Sequence, residues 1–121
     1  MNCVSVDFRS VSSFIHEYGH YLDYNLGKEK NLSLMDDFLP IIRVYRSNVY
    51  DKYKDSYVYK KAGYYCTPTE VFARGFELYI SSKVSSSLIK DAMTYGKQEE
   101  YLCFDGCKEE MLAYMDKIFK L

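Results

Sequence analysis

Val4, Val6 and Phe8 alternate with Ser5 and Asp7, which predicts one short N-terminal strand with a single apolar face. The period then changes. Val11, Phe14, Ile15, Tyr18 and Leu22 recur at helical spacing behind a capping Ser10, and the run stops at Gly27, a residue suited to a left-handed helix end. The other face of this helix carries Ser13, His16, His20 and Asp23. A second helical stripe, Leu34, Phe38, Ile41, Ile42, Tyr45 and Val49, follows a potential cap at Ser33, with Pro40 either bending it or beginning a separate helix. Residues 54 to 66 lack a clear period and read as a loop or a short hairpin.

Thr67 opens the next helix with a full start signal. Pro68 suits the first helical position and Glu70 lies three residues after the cap, the spacing of a capping box. Val71, Phe72, Phe76, Tyr79 and Ile80 form its apolar stripe to about Ser82, and Glu70, Arg74 and Glu77 group on a different face. A short helix from Ser87 to Tyr95, a small strand from Tyr101 to Phe104 and a last helix from Asp105 to Phe119 complete the pattern. The predicted class is α+β and mostly α-helical, with one or two small strands.

At 121 residues the chain suits one compact domain spanning 1–121, and 48% hydrophobic residues are enough for its core. Sixteen basic against seventeen acidic residues leave a net charge of −1, which argues against a global attraction to nucleic acid or an anionic membrane. No apolar run approaches the ~20 residues of a membrane-spanning helix. Cys3, Cys66, Cys103 and Cys107 lack CxxC spacing, and no signal peptide is evident, so reduced thiols in a cytoplasm are expected, delivery into another cell being compatible. Fourteen tyrosines are the compositional outlier, and the stretch from Tyr50 to Lys61 interleaves them with lysine and aspartate. Such a stretch can stack single-stranded bases, but its charges nearly cancel, and a half-buried aromatic surface is the better account.

The chemistry lies in His16-Glu17-Tyr18-Gly19-His20. Two histidines four residues apart share one helix face and can fill two corners of a tetrahedral zinc site, and they are the only histidines in the chain. Glu17, beside the first of them, can take a proton from an activated water and pass it to a leaving amine. A third ligand must be a carboxylate or thiolate. Leu26 stands where a longer HExxHxxGxxH pattern needs its third histidine, and Asp23 replaces its glycine. Glu70 leads, if it does not simply close the capping box; Glu77 is either the rival ligand or an acceptor that orients a histidine. Asp23 suits orienting a neighbour better than binding metal.

These residues resemble a family. His16-Glu17-Tyr18-Gly19-His20-Tyr21-Leu22-Asp23 together with Thr67-Pro68-Thr69-Glu70-Val71-Phe72-Ala73-Arg74-Gly75-Phe76-Glu77 is similar to the gluzincin metallopeptidases related to the anthrax lethal factor catalytic domain. The second block also resembles zincin-like domains of polyvalent proteins from phages and mobile elements. The resemblance implies a minimal zincin-like metallopeptidase fold with a reduced N-terminal sheet. It implies zinc held by His16, His20 and Glu70, and Glu17 as general base. It also implies a tyrosine that polarises the scissile carbonyl, with Tyr64 and Tyr65 near the position. The expected activity is hydrolysis of a peptide bond in a protein or peptide substrate. The competing expectations are a non-catalytic protein-binding module and, from the tyrosine-rich stretch, a nucleic-acid-associated protein.

Overall fold

The computed structural model describes residues 11–27, 30–83 and 98–120. Helix α1 spans Val11–Leu26, a 3₁₀ turn follows at Leu32–Leu34, and α2 spans Leu39–Asp51. Two one-turn helices, α3 (Tyr57–Lys60) and α4 (Ala62–Tyr65), lead into α5 (Pro68–Lys83); α6 (Glu99–Leu102) and α7 (Lys108–Phe119) follow. No described helix is long and apolar enough to cross a membrane.

Helix α5 is the axis of the core. Every residue from Val71 to Tyr79 is buried, including Arg74 and Glu77, because neighbours cover it on several sides. Phe38 of the loop before α2 packs edge-on against Phe72, and Tyr45 of α2 packs on Phe104. On another side α7 brings Met111 and Met115 against Gly75, where a Cβ would lie 3.0 Å from the Met111 sulfur. Phe119 closes the end of this contact over Phe76 and Tyr79.

The most extensive helix–helix contact among the described residues is that of α1 with α5. Ile15, Gly19 and Asp23, four residues apart, form the buried line of α1. Gly19 sets the approach: a Cβ there would stand 3.3 Å from the Ala73 Cα and 3.2 Å from the Phe76 ring. Gly19→Val is expected to wedge the helices apart and lower the unfolding free energy by about 2–3 kcal/mol, the upper part of the overpacking range. Urea denaturation of the two proteins measures it, and equal midpoints would mean that the contact is loose.

The expected sheet is corrected. Val4, Val6 and Phe8 lie outside the described residues, and among the described residues there is no strand. Tyr101 to Phe104 is helix and turn instead. Tyr101 N and Leu102 N bond Gln98 O, and Cys103 N bonds Glu99 O, so these amides are spent locally. Buried Asn48 then donates to both the Cys103 and Asp105 carbonyls, fixing the turn against α2. Residues 54 to 66 are likewise helical turns, started where the Ser56 hydroxyl accepts from Tyr59 N. The predicted Ser87–Tyr95 helix falls outside the described residues.

Two helix ends differ from expectation for local reasons. Ser33 does not cap α2: its amide and hydroxyl both donate to the buried Asp23 carboxylate, at 2.7 Å each, which ties the 3₁₀ turn to α1. Helix α2 begins only at Leu39, with Pro40 in its first turn. Gly27 ends α1 without a left-handed φ; it is needed because a Cβ would run into the Lys30 carbonyl.

Candidate metal centre

One flank of the α1–α5 contact carries the chemistry. His16 and His20 project from α1, one turn apart, with rings edge-on and centroids 4.9 Å apart. Glu70, in the first turn of α5, meets both. Its Oε2 lies 3.0 Å from His16 Nε2 and 3.2 Å from His20 Nε2. The capping box is therefore not formed by side chains: the Thr67 hydroxyl donates to the Gly63 carbonyl, and the Glu70 carboxylate faces the imidazoles. The possible ligand atoms of His16, His20 and Glu70 all lie within 4.8 Å of one another. Around a tetrahedral zinc with bonds of about 2.0–2.2 Å, neighbouring ligand atoms are about 3.4 Å apart, so the three groups fit such an ion with small adjustments. Among the described residues this is the one His, Cys, Asp and Glu group that fits a metal.

Glu77 stands behind the centre. Its Oε2 lies 2.7 Å from His16 Nδ1 and accepts a hydrogen bond from that nitrogen, which leaves Nε2 turned toward Glu70 and His20. Burial works against a charged His16, but the hydrogen bonds and charges of Glu70 and Glu77 outweigh it and raise its pKa to about 9. Burial works against an ionised Glu70 as well, and the hydrogen bonds from His16, His20 and Tyr64 hold its carboxyl well below the usual carboxylate range. The cluster is thus a set of cation-seeking oxygens and nitrogens at close quarters, the kind of donor set that a divalent ion satisfies by displacing protons.

Arg74, one turn after Glu70, lies 3.9 Å from its carboxylate and is 3% exposed. Its guanidinium donates to the Tyr65 carbonyl at 2.9 Å and lies over the Tyr65 ring, 4.7 Å from its centroid, and the Tyr64 ring at 5.5 Å. The two tyrosines therefore differ in role. The Tyr64 hydroxyl reaches Glu70, and its ring is half in solvent; Tyr65 forms the bed under Arg74. Glu17 is exposed. Successive helix residues turn by about 100°, which places Glu17 about 60° beyond His20 on the solvent side of the histidine flank. Asp23 lies apart from the ligand cluster, engaged with Ser33.

Two contributors had no assigned part in the sequence reading. Arg74 was visible on the Glu70 face but had no partner there. Tyr101, whose hydroxyl donates to Glu77 Oε2 at 2.9 Å, had no signal, because it belongs to a segment whose alternation suggested a strand. Among the described residues, Cys66, Cys103 and Cys107 are not part of the group, and burial pushes the Cys103 thiol up to about 12 and that of Cys107 to about 11.

Fold and site together define a mainly helical domain with a two-histidine, one-glutamate cluster held between two helices. The chain belongs to the family described as Large polyvalent protein-associated domain 1, whose profile matches residues 57–118. The matched part contains Glu70, Arg74, Glu77 and Tyr101, and the histidine helix precedes it. It is thus a domain of the polyvalent proteins of phages and mobile elements. No curated protein and no solved structure matches the chain.

Proposed function

We propose that this domain is a zincin-like metallopeptidase of the gluzincin kind, which hydrolyses a peptide bond in a protein or peptide substrate. The observation that carries this reading is the convergence of His16 Nε2 and His20 Nε2 on one Glu70 oxygen, with the second His16 nitrogen already engaged by Glu77. His16, His20 and Glu70 would hold the ion. A zinc ion there supplies Lewis acidity toward a water and a substrate carbonyl. Glu17, on the solvent side of the histidines, accepts the proton of the attacking water and delivers it to the departing nitrogen. Tyr64, half exposed beside Glu70, is better placed than Tyr65 to donate to the carbonyl oxygen, since Tyr65 is committed to Arg74.

The test combines metal analysis with cleavage. Protein purified without chelator is expected to carry about one zinc per chain, as a three-ligand catalytic site would. It should cut members of a proteome-derived peptide library, read by mass spectrometry. Stripping with a chelator should stop cleavage, and zinc should restore it. Zinc-loaded protein that leaves the whole library intact would remove the hydrolytic assignment.

A further inference from the structure

The hydrogen-bond chain that ends on His16 begins beyond Glu77. Glu77 is 2% exposed, and its Oε2 receives two donors, His16 Nδ1 at 2.7 Å and the Tyr101 hydroxyl at 2.9 Å. A glutamate has enough torsional freedom to offer its oxygens in several directions, and a second donor on the same oxygen removes much of it. Tyr101 is itself held from both sides in sequence. The carbonyl of Glu100 accepts from the buried Tyr45 hydroxyl at 2.6 Å, and the Glu100 carboxylate accepts from Tyr57 at 2.7 Å. On the other side Asn48 grips the carbonyls of Cys103 and Asp105. The short helix α6 is thus anchored to α2 and α3 and presents one hydroxyl to the back of the metal centre.

We propose that Tyr101 is a positioning residue of this centre: by fixing Glu77 it fixes the ring of His16, so that Nδ1 carries the proton and Nε2 presents its lone pair to the ion. A neutral imidazole has one proton for two nitrogens, and which nitrogen remains a ligand is decided by the partner of the other. Without the hydroxyl, Glu77 Oε2 keeps a buried lone pair unused and the carboxylate is free to turn, and His16 turns with it. This inference rests on the metal-binding part of the proposed function.

The test is a cycle of Tyr101→Phe, Glu77→Gln and the double variant, with Zn²⁺ affinity read by competition against a chromophoric chelator. The visible spectrum of the Co²⁺-loaded protein reports ligand geometry. Tyr101→Phe is expected to weaken zinc about tenfold, the lower end for groups that orient metal-bound histidines, and to change the cobalt spectrum. The double variant should bind no more weakly than Glu77→Gln alone, because Tyr101 acts through Glu77. In zinc-loaded wild type, NMR should find His16 protonated at Nδ1. Wild type that takes up no zinc removes the metal site and this proposal with it. Normal zinc binding in wild type with an unchanged Tyr101→Phe affinity and spectrum, additive losses in the double variant, or a His16 protonated at Nε2 overturns the proposal alone.

Discussion

Glu17→Gln is expected to keep its zinc and to lose peptide cleavage by about a hundredfold to ten-thousandfold, the usual worth of a positioned general base. Two features of the site separate these effects. Glu17 is exposed and is no part of the His16–His20–Glu70 cluster, so replacing its carboxylate by an amide leaves the proposed ligand atoms in place. An amide of the same shape cannot take the proton of an attacking water, so the loss should appear in kcat rather than in metal content. The measurement is kcat on any peptide that the wild type cuts, beside elemental analysis of both proteins. Equal turnover would exclude Glu17 as the base, and loss of metal along with activity would make Glu17 a ligand or a structural residue.

The second large effect separates the two glutamates of α5. Glu70→Ala is expected to weaken zinc binding by more than about a hundredfold, because it removes the oxygen of the proposed ligand set that both histidines address. Glu77→Ala should weaken it by only about ten- to a hundredfold, since Glu77 meets His16 through the nitrogen that faces away from the cluster. Isothermal titration of chelator-stripped protein with Zn²⁺ distinguishes them. The reverse order would make Glu77 the ligand and Glu70 the orienting group. In Glu70→Ala the buried Arg74 guanidinium also loses its nearest carboxylate, so the variant's stability should be measured beside its metal affinity.

The two helices that carry the centre were legible because their signals are local. The apolar spacing of α1 and the Thr67-Pro68 start of α5 lie within a few turns of sequence and survive any tertiary context. Spacing paired His16 with His20 and elimination narrowed the third group to a carboxylate or thiolate, led by Glu70 with Glu77 as rival; the family resemblance favoured Glu70, and the possible ligand atoms of His16, His20 and Glu70 lie within 4.8 Å of one another. What failed depended on partners distant in the chain. Ser33 reads as a helix cap until Asp23, ten residues back, takes both its donors. Tyr101 to Phe104 alternates like a strand, but Asn48, 55 residues away from Cys103, pins the backbone in a turn. The glycine inside His16–His20 needs no special dihedral; its reason is the backbone of Ala73 pressed against it, which no one-dimensional pattern displays.

The proposed ligands His16 and Glu70 are separated by 54 positions, and the helices bearing them are each other's chief contact. An ion shared between them is therefore also a cross-link, closing a loop of about 50 residues and removing chain entropy from the unfolded ensemble. At a thousandfold over its dissociation constant, an ion bound only by the folded chain adds about 4 kcal/mol to stability. Thermal denaturation then becomes a gauge of occupancy that needs no substrate, and α1 becomes the segment whose amide exchange should slow most when the ion is supplied.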